Sequence, residues 1–181
     1  MSHLSPFQRH LLFFATRDPI PRLTLLSALR ASLRLGMNLP VAILASLSIR
    51  ILYAPFPFLR PMAVSSVPRQ NFRTQLEAAR LDRSGYTKDQ LVALCDGDSA
   101  LNKAHVGTLW TLVADVKTGL VDVEDVRRFQ GGDWAEEVVK RRKSRVPGRG
   151  EVLPFMRGGP LIVSAHSWAA YWLFGIDVYG T

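Results

Sequence analysis

One apolar run constrains the fold of this chain more than any other feature. Residues 39–54 read LPVAILASLSIRILYA and hold a single charged side chain, Arg50. A transmembrane helix needs about 20 apolar residues, so this run is too short to span a bilayer. It is therefore either buried in a protein core or dips into a membrane interface. Hydrophobic residues make up 48% of the 181-residue chain, enough to bury such a segment within one compact unit.

Helical spacing continues immediately before the apolar run. Four leucines recur on one face of a helix: Leu25, Leu26, Leu29 and Leu33. Gly36 and Pro40 separate this stripe from the run. The pattern predicts an amphipathic helix and an apolar helix joined as a hairpin. Residues 53–61 then hold three prolines and three aromatic side chains, which favours a loop at the level of a membrane interface.

The net charge of +8 is concentrated in the N-terminal part of the chain. Residues 1–70 carry eight arginines, one aspartate and no lysine, whereas residues 71–181 are nearly neutral. An arginine-rich, leucine-rich and acid-poor segment favours an anionic membrane surface, and we expect residues 20–61 to contact one. The segment lacks the interleaved aromatic and basic residues of nucleic-acid-binding modules, so nucleic acid is not an expected partner.

Cysteine usage and the N-terminus bear on localisation. The single cysteine, Cys95, rules out an intrachain disulfide and favours a reducing compartment. The apolar patch at residues 11–15 is too short for a secretory signal. An arginine-rich, acid-poor N-terminus is also compatible with a mitochondrial transit peptide, which we keep as an alternative.

Two glycines mark a repeated unit in the middle of the chain. Gly85 and Gly119 are 34 residues apart, and each lies between segments compatible with helices. Glycine occupies the sixth position of an EF-hand calcium loop, between an entering and an exiting helix. The spacing predicts a pair of EF-hand-like units, with helices at the following ranges: 71–81, 88–95, 104–113 and 122–130.

The oxygen ligands that calcium requires are absent from both predicted loops. When each glycine is placed at position six, the ligand positions of the first loop are Arg80, Asp82, Ser84, Lys88 and Leu91. Those of the second loop are Ala114, Val116, Thr118, Asp122 and Asp125. Neither set supplies the carboxylate at the first position or the bidentate glutamate at the twelfth. We expect degenerate loops without calcium.

The C-terminal fifty residues predict a basic helix followed by an aromatic segment. Residues 133–145 are compatible with a short helix whose basic run, 140–145, is expected to form a solvated face. Residues 161–181 are too apolar and aromatic for a disordered tail. We expect that segment to close the core or to line a pocket.

The order of these features resembles the caleosin family of lipid-droplet proteins, some of which are haem peroxygenases. The similarity begins at FQRHLLFF, residues 7–14, and continues through LRASLRLG, residues 29–36, the apolar run and the proline-rich segment. It ends near GLVDVEDVR, residues 119–127. The resemblance implies a location on the cytosolic side of the endoplasmic reticulum or of lipid droplets.

The ligand sets of that family are incomplete in this chain. Its N-terminal calcium loop would fall on residues 15–26, where ligand positions are occupied by Ala15, Arg17, Pro19 and Leu26. The resemblance implies two haem-binding histidines, one before this loop and one after the prolines. His10 matches the first, but no histidine lies between Pro61 and Leu94. Haem binding would therefore need His105 or His166 as a replacement.

These observations lead to one preferred function and two alternatives. We expect a mainly α-helical protein made of residues 1–70, an EF-hand-like pair at 71–131 and a basic and aromatic segment at 132–181, in one compact unit. Without metal or haem, its expected activity is cofactor-independent cyclisation, Diels–Alder-like, or isomerisation of a hydrophobic lipid or terpenoid. The candidate pocket residues are His10, His105, Trp110, His166 and Tyr171. The alternatives are a haem peroxygenase and a non-catalytic coat protein of lipid droplets.

Overall fold

The computed structural model describes residues 4–53, 60–67, 80–95, 100–143 and 151–179, and this part of the chain is mainly helical. The helices are α1 (Pro6–Phe14), α2 (Leu25–Arg34), α3 (Leu39–Tyr53), α4 (Lys88–Ala93), α5 (Ala100–Val113), α6 (Val123–Gly131), α7 (Trp134–Arg142) and α8 (Val163–Phe174). The predicted mainly α-helical class is confirmed. Most of the predicted helix at 71–81 and of the proline-rich loop at 53–61 lies outside the described residues.

Short capping sequences determine where several helices begin. The hydroxyl of Ser5 accepts a hydrogen bond from the backbone N–H of Gln8, and the side-chain oxygen of Gln8 accepts one from the backbone N–H of Ser5. The same reciprocal pair starts α2 at Thr24 and α4 at Thr87. Each pair satisfies two backbone groups that the first turn of a helix leaves without an intrahelical partner. The starts of these helices are therefore encoded locally.

Two short antiparallel strand pairs connect the loops between helices. β1 (Arg22–Leu23) pairs with β2 (Met62–Ala63), and β3 (Gly85–Tyr86) pairs with β4 (Val121–Asp122). Tyr86 lies opposite Val121. In paired EF-hand loops the residues at position eight lie opposite each other, so alignment on the two glycines predicts Thr87 opposite Val121. The observed register differs from that prediction by one residue. Tyr86 follows Gly85 by one residue, whereas its partner Val121 follows Gly119 by two.

The apolar run forms α3, and its two faces differ in exposure. α2 and α3 pack against each other across a turn in which Gly36 adopts a positive φ of 83°. One face of α3 is buried and includes Arg50, whose guanidinium donates to the backbone carbonyls of Leu23 and Arg60. The opposite face exposes four large apolar side chains: Ile43, Leu44, Ile51 and Leu52. The only charge of the run is therefore used inside the fold.

Within the basic run at 140–145, Lys140 and Lys143 are exposed as its composition suggests, but Arg142 is buried. Arg142 is 1% exposed and donates to the carbonyls of Leu35 and Leu112, while Glu151 forms an ion pair with it at 2.9 Å. A guanidinium carries five N–H donors, so it can bind several carbonyls that would otherwise be buried without partners. Arg142 thus joins α7 to the end of α5 and to the turn after α2.

Candidate functional site

An apolar cavity of about 350 Å³ lies between α1, α3 and α5, beside the facing ends of α6 and α7. Its walls are mainly aliphatic and aromatic and include Phe7, Leu11, Phe14, Leu109, Leu112 and Phe129. Concave, mostly apolar sites with a few polar groups are typical of small-molecule binding. This size is at the lower end of such sites and suits a compact ligand.

The mouth of the cavity is a slot between α3 and α5. Ser48 and Leu52 on α3, and Ala104 and Thr108 on α5, line the cavity and are also exposed to solvent. Each pair has a spacing of four residues, which places its two members on one face of their helix. The exposed apolar side chains of α3 begin at this rim. The cavity therefore opens towards that apolar surface.

His10 lies on the cavity-facing side of α1. Its spacing from Phe7 and Phe14 is three and four residues, so one helical face carries all three into the cavity wall. His10 is 8% exposed, and its Nδ1 accepts a hydrogen bond from the indole Nε1–H of Trp134 at 2.9 Å. A neutral imidazole that accepts at Nδ1 carries its proton on Nε2. Trp134 therefore selects one tautomer of His10.

Burial keeps both histidines of the cavity uncharged at neutral pH. Burial, together with the positive charges that His105 and Arg9 can carry, lowers the pKa of His10 to about 3. Burial likewise lowers the pKa of His105. An imidazole of low pKa is a neutral hydrogen-bonding group, so the cavity offers polar contacts without a buried charge.

His105 enters the cavity from α5 and stands near the same aromatic ring as His10. The ring centroid of Phe129 is 4.5 Å from that of His10 and 6.2 Å from that of His105. Within the described ranges, no hydrogen bond joins the His105 side chain to another residue. Either of its ring nitrogens can carry the proton. The two histidines thus differ: His10 has a determined tautomer, whereas His105 can adopt either.

Tyr53 is a further polar group that sequence reasoning did not identify. It lines the cavity at the end of α3, and its ring packs edge-on against Phe7 with centroids 5.1 Å apart. Burial raises its pKa to about 12, so the hydroxyl keeps its proton. Trp134 was also missed. The only local signal near it is the pair Gly131-Gly132, which ends α6 with Gly132 in the left-handed conformation and starts α7 against α1.

The other three predicted pocket residues lie elsewhere. Trp110 lies outside the cavity lining, donates from Nε1 to the carbonyl of Gly119 at 2.9 Å and stacks under the guanidinium of Arg157 at 5.0 Å. His166 is near Tyr179, with centroids 6.2 Å apart, and burial lowers its pKa. Tyr171 is 59% exposed. Of the five predicted residues, the cavity brings together His10 and His105.

The arrangement of His10 does not fit an axial haem ligand. A histidine binds iron through a ring nitrogen that carries no proton, while its other nitrogen is a donor. In this structure the Trp134 N–H occupies Nδ1, so the proton of His10 is on Nε2 and no ring lone pair is left for a metal. Haem ligation would require this hydrogen bond to break.

The loops around β3 and β4 use their polar groups internally. The hydroxyl of Tyr86 accepts from the backbone N–H groups of Asp82 and Arg83 at 2.8 and 3.0 Å. The carboxylate of Asp125 is paired with Arg141 at 2.8 Å. In the part of the chain that the structure describes, no cluster of three or more histidine, cysteine or acidic side chains could hold a metal ion.

Comparison of the chain with protein-family models, with curated proteins and with solved structures gives no match. Among the described residues, no helix is both long and apolar enough to cross a bilayer. The geometry of the cavity is therefore the basis for a functional proposal.

Proposed function

We propose that the protein binds a compact apolar molecule with a carbonyl group in this cavity and catalyses its cyclisation or isomerisation without a cofactor. The observation that carries the proposal is the pair of uncharged imidazoles within one apolar cavity, His10 having a tautomer determined by Trp134. A substrate of this class, lipid or terpenoid, is held by the apolar walls and oriented by its carbonyl oxygen.

His10 acts on the carbonyl as a neutral donor. Its Nε2–H hydrogen-bonds the oxygen and withdraws electron density from the conjugated system, and a neutral imidazole polarises a carbonyl without the cost of a buried charge. The Tyr53 hydroxyl provides a second neutral donor in the same wall. Removal of one donor to a developing oxyanion costs about 10²–10³ in rate in other enzymes.

The two reactions use His105 differently. In a Diels–Alder-like cyclisation two carbon–carbon bonds form at the expense of two π bonds, so no proton moves and His105 only packs against the substrate. The cavity then acts by holding the reacting ends in contact. In an isomerisation, Nε2 or Nδ1 of His105 removes a proton from a carbon beside the carbonyl and returns it to another carbon. No oxidant or metal is needed in either case.

The scaffold of this enzyme is a decayed caleosin-like fold with EF-hand-like units. The order α1, β1, α2 supports one such unit at the N-terminus, and the pairing of β3 with β4 supports a second and a third joined side by side. With Tyr86 opposite Val121, the N-cap Thr87 matches the N-cap Asp122, and Gln90 rather than Leu91 matches Asp125. Tyr86, which accepts from the backbone N–H of Asp82, and Arg141, which pairs with Asp125, then use polar groups of these two degenerate loops internally.

A second candidate is a non-catalytic protein of a lipid surface. The exposed apolar face of α3 favours it, and residues 20–61, which include α3, would contact a lipid droplet or the endoplasmic reticulum from the cytosol. Both candidates place α3 against lipid. They differ in the cavity, because a coat protein does not need His10 and His105. The haem peroxygenase alternative would use His10 and His105 as the two iron ligands. It requires the hydrogen bond from Trp134 to break, so that the tautomer of His10 can change.

The proposed donor can be tested directly with β-ionone, a compact apolar enone, as the probe. We expect it to bind the purified protein and its carbonyl stretch to move to lower frequency in the infrared spectrum, because a hydrogen bond weakens the C=O bond. The shift should vanish in His10→Phe and persist in the matched control His166→Phe, whose ring is outside the cavity. An unchanged stretch in all three proteins would reject the donor role.

Turnover separates an enzyme from a coat protein. Conjugated trienones that carry a tethered alkene are incubated with the protein, and products are followed by chromatography and NMR. Wild-type protein should form a cyclised or isomerised product at least tenfold faster than His10→Phe, in keeping with the loss of one donor. Ala104→Leu, which narrows the mouth, should reduce binding of β-ionone. Binding of the probe without any difference in turnover between wild type and His10→Phe would contradict the enzyme.

A further inference from the structure

α8 is an exposed aromatic helix near the C-terminus of the chain. Trp168 is 66% exposed and Trp172 is 68% exposed, and their ring centroids are 6.4 Å apart. Tyr171 contacts Trp172 edge-on at 6.0 Å. No acidic, lysine or arginine residue occurs between positions 158 and 176. The result is a contiguous aromatic surface on α8. The same segment also packs into the core, as expected, through its buried residues Ala170, Ile176, Val178 and Tyr179.

The type of these side chains points to a membrane–water interface. Tryptophan and tyrosine combine an apolar ring with a polar tip and concentrate at the level of lipid headgroups. Small residues, Ser167 and Ala170, form the buried face of α8 and allow it to lie close to the core. The exposed face is continued by Leu161 and Ile162, which are 78% and 61% exposed.

A charged groove begins where this aromatic surface ends. It has a volume of about 790 Å³, lies between α1, α2 and α7, and includes Phe174 at the end of α8. Its cationic groups are Arg17, Arg30, Arg34 and Lys143, and its carboxylates are Asp18, Glu136 and Asp177. Glu136 is paired with Arg34 at 3.2 Å, and that guanidinium also stacks over Phe13. Arg17 and Arg30 are exposed at its edge.

We propose that α8 lies in the headgroup region of an anionic phospholipid membrane and that this groove binds the phosphate of a lipid beside it. Aromatic side chains supply the apolar contact and arginines supply the charge complementarity, the two signals that stable interfacial binding needs. The groove includes Arg30 and Arg34 of α2, within the segment 20–61, whereas α8 lies outside that segment. None of the residues that line the groove also lines the cavity. α8 gives the protein a membrane contact at its C-terminal end.

Vesicle flotation tests both parts of the proposal. The full chain is mixed with phosphatidylcholine vesicles that do or do not contain phosphatidylglycerol. We expect flotation with the anionic vesicles, weakening as salt is raised, because exposed charges are screened. Each basic side chain near an anionic surface strengthens binding about fivefold, so Arg17→Ser with Arg30→Ser should weaken it about 25-fold. The control, Arg83→Ser with Arg127→Ser, removes the same charge from exposed positions elsewhere.

Tryptophan emission reports on α8 itself. Trp134 is buried and Trp110 is partly buried, so Trp168 and Trp172 dominate the solvent-exposed emission. Anionic vesicles should shift the emission to shorter wavelength, and Trp168→Phe with Trp172→Phe should abolish the shift. The phosphate-binding role of the groove would be rejected if the protein bound neutral and anionic vesicles equally. It would also be rejected if the double variant at Arg17 and Arg30 bound anionic vesicles as strongly as its control. Tryptophan emission that does not change on addition of vesicles would reject the membrane contact of α8. β-Ionone binding to the same variants distinguishes these failures from failure of the cavity.

Discussion

The end of α5 and its cavity-facing side bury polar side chains in opposite ways. At the C-terminal end, Arg157 donates to the carbonyls of residues 110, 111 and 114, Arg142 to that of Leu112 and Arg141 to that of Val113. These carbonyls lie at the C-terminal end of the helix, where partial negative charge accumulates. That of Trp110 also accepts from the backbone N–H of Ala114 at 3.0 Å. On the cavity side, His105 makes no hydrogen bond to a described residue. The arginines complete the fold, whereas His105 leaves hydrogen-bonding capacity for a ligand.

Structural and functional polar groups in the same core can thus be distinguished by whether their hydrogen bonds are used within the protein. A buried guanidinium whose donors meet carbonyls and a carboxylate contributes to stability, and its loss leaves those acceptors without partners. An imidazole held neutral in an apolar cavity contributes little to folding and is costly to protonate. The following predictions test that contrast through stability and protonation, in order of decreasing effect.

Arg142 should give the largest loss of stability. Arg142→Met leaves the carboxylate of Glu151 and the carbonyls of Leu35 and Leu112 without their donor. Removal of one partner of a buried ion pair costs about 3–5 kcal/mol. Urea unfolding measures the change, and Lys140→Met, at an exposed neighbour, is the control. A cost below about 1 kcal/mol would mean that the arginine cluster is not structural.

The buried histidines should make the protein less stable as the pH falls below about 6.5. The arginines keep their charge in this range and should not contribute to this loss. The pKa of folded His10 is lowered to about 3 from 6.5, so the unfolded chain binds more protons between those values. Stability is therefore complete above about pH 6.5 and falls as the pH decreases towards 3, by up to a few kcal/mol. His105 contributes in the same direction.

His10→Phe should flatten this dependence without removing it, because His105 still titrates. The measurement is the urea midpoint of both proteins across the acidic range, with His166→Phe as a second histidine variant. An equal acid dependence in wild type and His10→Phe would contradict the low pKa of His10.

Trp134→Phe should give a smaller but more specific effect. It removes the buried hydrogen bond to His10 at a cost of about 1–3 kcal/mol. With no donor at Nδ1, the imidazole can adopt either tautomer, and the ¹⁵N chemical shifts of His10 should change from those of the Nε2–H form to a mixture. The tautomer is the sharper readout, because a merely structural tryptophan would reduce stability and leave the ¹⁵N pattern unchanged.

Local signals in the sequence were sufficient for most of the helices. The predicted helices at 88–95, 104–113, 122–130 and 133–145 correspond to α4 through α7, because capping residues and apolar spacing act within one or two turns. The relative register of β3 and β4 was not predicted correctly. It depends on which residues of two loops pack together, and a glycine marks only a turn within one of them.

The candidate site was predicted only in part. His10 was identified as a match to the first haem-binding histidine that the family resemblance implies, and His105 as a possible replacement for the second. Their shared cavity could not be derived from spacing. Arg142 shows the same limit, since a run of basic residues is normally solvated and only contacts with α5 and residues 35 and 151 explain its burial.

By itself the sequence determined the helical class, the concentration of positive charge near the N-terminus and an apolar segment too short to cross a bilayer. Each follows from composition or from periodicity over a few residues. Only the tertiary structure decided that Trp134 reaches across 124 positions to select the tautomer of His10, that Arg142 is buried and that the aromatic face of α8 is exposed. These properties depend on long-range packing, in which many weak contacts from several helices together determine what surrounds each side chain.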